Sequence, residues 1–329
     1  MKALLPSLFL VTVLPAFAVK KPAAFQPQAI VSGGEVIPLY PPDSPFLKTN
    51  RIGEAEKYNT ATNHAKGPIT NVLNIHNPSI EVHLASSGPS NTGTAIILAA
   101  GGGHENLWVG PEGADYVPYF AKEGISTVIL RYRLRVDGYE PTTDAVNDAF
   151  QAIRLVRSKA KEWKLDPAKI GIIGFSAGAE LSAPAALFFE GFAKKNNSRS
   201  DPLAQISARP DFVGIVYPGP TPFTKFPETK IPANVPPAFI TCAGAGDQVH
   251  ALWATDYYVP MLKASVPNVE LHMYGRGGHG VQREGKAGIP YGMWMDRYME
   301  WFSDLGFLGR PGVETKAARE SADYAKKKR

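Results

Sequence analysis

The run Gly174-Phe175-Ser176-Ala177-Gly178 sets a serine between an apolar stretch, Ile170–Phe175, and a helix-forming stretch from Ser176 to Phe189. A serine at such a junction sits on a sharp turn with its hydroxyl raised above the sheet. Small residues at 174 and 178 let the two backbones approach, and the new helix points its positive end at charge forming near the hydroxyl. The plainer reading is an N-cap serine. A hydroxyl attacks well only when a base takes its proton. Among seven histidines, His279 in Gly277-Gly278-His279-Gly280 lies just past an apolar run, whereas His272 falls within that run. Asp247, after the run Ala238–Ala243, is the expected carboxylate that holds the base's tautomer; Asp256 is the alternative but sits in a helical pattern. These three residue types together perform acyl transfer through a covalent intermediate. The rate should rise as the base loses its proton, near ~6.5 for an unperturbed imidazole.

An oxyanion needs donors. The backbone N–H of Ala177 is one candidate, and Gly102 or Gly103, in the loop after Thr94–Ala99, supplies the other. A flexible turn is the alternative for that loop. His104 and Tyr217 adjoin strand ends and are expected to line the substrate pocket, with Trp253 offering a ring face to a sugar. The segment 218–237 holds seven prolines and predicts a stiff rim.

The elements that must position these groups alternate. Apolar strand runs at 94–99, 126–132, 170–175, 212–217, 238–243 and 269–274 are separated by helical patterns, the clearest being Thr143–Trp163 with apolar residues at three- and four-residue spacing. Such alternation predicts an α/β fold with a mostly parallel central sheet, helices on both faces, and chemistry at the carboxyl ends of the strands. Ile69–Ile75 and Ile80–Leu84 read as paired edge strands. Residues 19–68, rich in Pro, Asn and Gly, read as an irregular N-terminal arm, 69–310 as the catalytic domain, and 311–329 as a basic, solvated tail.

The chain has 329 residues, a hydrophobic share of 44% and one cysteine, Cys242, so no intramolecular disulfide forms and an ordinary core must carry stability. Met1-Lys2, the apolar Ala3–Val13 and Ala16-Phe17-Ala18 read as an export signal over 1–18, cleaved after Ala18; the alternative is an uncleaved anchor. An exported, periplasmic or extracellular protein with no stable membrane anchor is expected. The formal charge is +5, but Lys2 and the four cations of 326–329 account for all of it. A neutral body argues against a nucleic-acid partner. No HExxH helix, Cys/His cluster or Walker loop occurs, so no metal or organic cofactor is expected.

The order Ser176, Asp247, His279 is that of the α/β-hydrolase fold. The runs Gly101–Leu107, Glu112-Gly113 and Arg131-Tyr132-Arg133-Leu134, then Asp144, the Arg154–Arg157 helix segment, Asp166-Pro167, Ile170-Gly171, Gly174–Gly178, Asp247 with Val249, and Gly278-His279-Gly280 resemble the acetyl-xylan-esterase-like branch of that superfamily. The resemblance covers about residues 70–303, and Ile37–Pro42 is similar to that branch's amino-terminal arm. It implies a secreted carboxylic-ester hydrolase that removes acetyl groups from polysaccharide. Two positions depart from the branch: Ala179-Glu180 stands where Gly-His is usual, and His104 where Tyr is commoner. General short-chain carboxylesterases and lipases share the mechanism. Feruloyl and glucuronoyl esterases, oligopeptidase-like serine peptidases and a non-catalytic carbohydrate-binding relative are further alternatives.

Overall fold

A computed structural model describes residues 23–61, 68–88, 90–196, 201–280 and 289–328. The expected export segment, 1–18, lies outside the described residues. Among the described residues, ten strands form in chain order: β1 (Glu35–Pro38), β2 (Lys57–Thr60), β3 (Ile69–Leu73), β4 (Ser79–His83), β5 (Ala95–Ala99), β6 (Ser126–Arg131), β7 (Ile170–Phe175), β8 (Val213–Val216), β9 (Ala238–Ala245) and β10 (Val269–Arg276). Eight of them make one sheet in the order β1-β4-β6-β5-β7-β8-β9-β10, parallel from β6 to β10 and antiparallel at β4 and β1. Strands β5 to β8 are buried at every residue, which is why they read as continuous apolar runs instead of alternating ones.

Among the described residues, seven α-helices surround the sheet: α1 (Val117–Lys122), α2 (Val146–Ser158), α3 (Ala179–Lys195), α4 (Pro222–Lys225), α5 (Gln248–Lys263), α6 (Trp294–Asp304) and α7 (Lys316–Lys327). Trp294 and Phe302 of α6 are fully buried. Trp294 packs on Tyr116, Phe175 and Phe239, so one aromatic layer backs the strand that ends at Ser176. No helix among the described residues is long and apolar enough to cross a membrane.

Three local expectations differ from the fold. Residues 69–73 and 79–83 do not pair with each other. β3 joins β2 in a separate two-stranded sheet, and β4 inserts between β1 and β6. Asn74, in the left-handed region at φ 62°, turns the chain away between them. The arm is not irregular throughout, because its β1 covers one edge of the main sheet and its β2 pairs with β3 in the small sheet. At the other end, 316–327 is an amphipathic helix. Ala317, Ser321 and Tyr324 are buried, and the Tyr324 hydroxyl donates to the Ala264 carbonyl at 3.2 Å. The basic residues occupy its solvent side, so a charge count alone missed the docked face.

Candidate active site

The strand β7 delivers Ser176 into a tight 3-10 turn, Ser176–Gly178, that runs directly into α3. Ser176 holds φ at 51°, a left-handed conformation that a β-carbon makes costly. The turn is this tight because Gly178 lies against the end of β5: a Cβ there would run into the carbonyl oxygen of Ala99. The serine is thereby lifted out of the sheet while its neighbours Ala177 and Gly178 stay buried.

Two further loops, one after β9 and one after β10, carry Asp247 and His279. They are pressed backbone to backbone. The Gly277 N–H donates to the Ala245 carbonyl at 3.1 Å, and a Cβ on Gly246 (φ 94°) would run into the carbonyl oxygen of Gly277. Their side chains meet as a result. Ser176 Oγ lies 2.8 Å from His279 Nε2, and His279 Nδ1 lies 3.0 Å from Asp247 Oδ2. Asp247 is buried and His279 is exposed at the mouth. A neutral imidazole that donates from Nδ1 to the carboxylate presents its Nε2 lone pair to the hydroxyl, the state a general base requires. The alternative acid, Asp256, accepts from Thr224 Oγ1 at 2.9 Å, and His272 stacks on Phe239.

On the facing side, the loop after β5 presents Gly102 and Gly103, both at positive φ. The Gly101 N–H is already committed, donating to the buried Glu112 carboxylate at 2.6 Å. Among the described residues, neither the Gly102 nor the Gly103 N–H meets a backbone acceptor, and Gly103 faces open space. Glu112 also accepts from the Tyr217 hydroxyl at 2.7 Å. Burial pushes the Glu112 carboxyl up. The Tyr217 and Gly101 donors pull against that, as does the charge of His279 whenever its ring is protonated.

Of the expected pocket residues, Tyr217 is fully buried; its hydroxyl is spent on Glu112 and its ring stands edge-on to His279 at 5.0 Å. It backs the base and does not face the cleft. His104 is 1% exposed and lies 3.4 Å from Glu180 Oε1 through Nε2. Glu180 in turn binds Lys225 at 2.5 Å. The two departures from the family pattern, at 104 and 180, therefore touch one another. Trp253 is half-buried and edge-on to the ring of His250 at 5.1 Å.

The sequence reading does not single out His250. Its Nδ1 lies 2.5 Å from Asp247 Oδ1, and its ring stacks on that of His279 with centroids 3.9 Å apart. The signal was present: His250 follows Asp247 by three residues at the start of α5, which puts both on one helix face. Burial and then His279 hold the His250 imidazole below its ordinary value, against Asp247 and Glu180, which raise it. One ligand atom from each of Asp247, His250 and His279 lies within 4.8 Å of the others, a set that could hold a metal ion.

The family model described as BD-FAE matches residues 80–245, half of the chain; the match contains the serine turn and the glycine loop and ends two residues before Asp247. An acetylxylan esterase of Xylanibacter ruminicola is 38% identical over 96 residues, 29% of this chain and 19% of that protein. Endo-1,4-beta-xylanase B of Butyrivibrio fibrisolvens is 30% identical over 124 residues, 37% of this chain and 19% of that protein. The chain thus matches about a fifth of the length of these curated relatives. Among solved structures, an acetyl ester-xyloside bifunctional hydrolase from Caldicellulosiruptor lactoaceticus superposes with a TM-score of 0.65 at 24% identity, over 86% of this chain and all of the other. Esterase 2 of Thermogutta terrifontis superposes with a TM-score of 0.64 at 21% identity, over 84% and 97%. At that identity the likeness is one of fold, the α/β-hydrolase fold expected from the sequence.

Proposed function

The chain belongs to the BD-FAE family, and from that premise we propose that it is a serine carboxylic-ester hydrolase removing small acyl groups, O-acetyl above all, from carbohydrate. One observation carries the reading: an unbroken hydrogen-bonded relay, Ser176 Oγ to His279 Nε2 at 2.8 Å and His279 Nδ1 to Asp247 Oδ2 at 3.0 Å. In the proposed mechanism Ser176 attacks the ester carbonyl as His279 takes its proton. Asp247 steadies the imidazolium, and the N–H groups of Ala177 and Gly102 or Gly103 receive the oxyanion. His279 then protonates the departing alcohol. Water hydrolyses the acyl-enzyme by the same steps in reverse roles.

The acetyl and carbohydrate assignment draws support from the matched xylan-active relatives. Export to the periplasm or exterior draws support from the apolar start and the Ala16-Phe17-Ala18 pattern. The test is acetate release from acetylated xylan set beside hydrolysis of p-nitrophenyl esters of increasing chain length, together with fluorophosphonate labelling. Acetate release, a fall in rate beyond short acyl chains and labelling at Ser176 are expected. Labelling that survives Ser176→Ala would overturn the nucleophile assignment.

A further inference from the structure

The Asp247 carboxylate is shared. Its Oδ2 faces His279 and its Oδ1 faces His250, each through an Nδ1 atom. Two imidazoles and a carboxylate are the donor set of a three-ligand zinc site, and the rim leaves a fourth position to water, since the His250 and His279 side chains are 20% and 37% exposed. Nitrogen donors disfavour the hard cations Mg²⁺ and Ca²⁺. A tetrahedral metal wants its ligand atoms ~3.3 Å apart; one ligand atom from each of the three residues lies within 4.8 Å of the others, so side-chain shifts of up to ~1.5 Å bring the set together.

We propose that Asp247, His250 and His279 form a zinc-binding site whose occupation switches the hydrolase off. The proton accounting gives the switch its logic. Each neutral imidazole carries one proton, on Nδ1, donated to Asp247. A metal on Nδ1 takes that lone-pair direction, and the proton moves to Nε2. No proton leaves the pair of neutral rings, and the carboxylate is already ionised. His279 then presents N–H, not a lone pair, to Ser176 Oγ, so it cannot accept the hydroxyl's proton. His250 supplies the third ligand, which a Ser-His-Asp relay alone lacks.

The inhibition readout rests on the esterase reading; the binding readout does not. Full-length protein, stripped with chelator, is titrated with ZnCl₂ while p-nitrophenyl acetate hydrolysis is followed, with MgCl₂ as control. Zinc should inhibit, EDTA should restore the rate, and magnesium should do nothing. His250→Ala and His250→Asn, each normalised to its own metal-free rate, should need at least tenfold more zinc for half-inhibition. In parallel, calorimetry of zinc with Ser176→Ala should show one site, weakened at least tenfold by adding His250→Ala. Equal zinc sensitivity with and without His250, or no calorimetric site in Ser176→Ala, would overturn the proposal. If no ester is hydrolysed, calorimetry alone decides it.

Discussion

Two charged networks lie at opposite ends of the molecule's logic. At the rim, Asp247 is buried but its partners His250 and His279 reach solvent, and each contact is a single hydrogen bond, one within the start of α5 and one across to the loop after β10. Beneath the arm, by contrast, almost every charge is sealed and multiply bound. Arg133 is 1% exposed and grips Asp148 through Nε at 2.9 Å and Nη2 at 2.7 Å, while Nη1 donates to the Phe46 carbonyl. Glu81 accepts from the Ile30 and Val31 amides and from Arg131, whose Nη2 also donates to the Gln28 carbonyl. A charge with every site occupied is committed to holding segments together. A charge with one open direction is available to a reacting group. The contrast predicts that damage at the rim removes chemistry and leaves the fold, and that damage under the arm does the reverse.

The largest effect should come from Ser176→Ala. Its kcat/KM for p-nitrophenyl acetate should fall by ~10⁵ or more, with a melting temperature within ~2 °C of the parent. A collapse in melting temperature would erase the distinction between the networks. Next, Arg133→Met leaves Asp148 buried without its cation and should cost ~3–5 kcal/mol in urea unfolding. In native buffer its kcat/KM should stay within about threefold of the parent, a margin of ~0.6 kcal/mol.

Glu112 bridges the two behaviours, since it is sealed like the arm network but holds the glycine loop and the ring behind His279. Glu112→Gln keeps one acceptor for two donors and should lose ~1–3 kcal/mol, read as a roughly 10- to 100-fold lower kcat with KM little changed. A change confined to KM would place Glu112 with substrate binding instead.

The smallest effect separates two carboxylates within the arm network by sign. Burial, against Arg131 and the Tyr58 hydroxyl, holds Glu56 above its ordinary 4.5. Its contribution is therefore complete below 4.5 and is lost as pH rises through the raised native value. Burial is also the strongest influence on Glu81, but the hydrogen bonds from His83, Ile30 and Val31 and the charge of Arg131 together outweigh it and hold that carboxyl below 4.5. Its contribution is present above 4.5 and is lost as pH falls through the depressed value. Urea midpoints of Glu56→Gln and Glu81→Gln, measured from acid to neutral pH, should diverge from the parent in opposite directions.

The sheet and the three rim loops were legible in the sequence because their signals are local. An apolar run followed by glycine says where a buried strand stops, and β7 begins and ends at the residues its pattern predicts. Which way a side chain leaves the strand end is not local. Tyr217 adjoins a strand terminus as expected, yet φ of 34° turns it into the interior, where Glu112, 105 positions earlier, takes its hydroxyl. His104 is turned inward in the same way at φ 61°. The arm's strands escape the sequence for a similar reason: the four-residue β1 is too short to show a period, and its partner β4 lies more than forty residues on.

The arm's anchorage also sets an order of events. Glu81 and Arg131 become a receptor for Gln28, Ile30 and Val31 only when β4 and β6 have paired, which requires chain out to residue 131. Residues 28–31 leave the ribosome earlier and must wait, unmoored, for a mooring built a hundred residues later. Pulse-labelled hydrogen exchange should find the Ile30 and Val31 amides protected after those of β6.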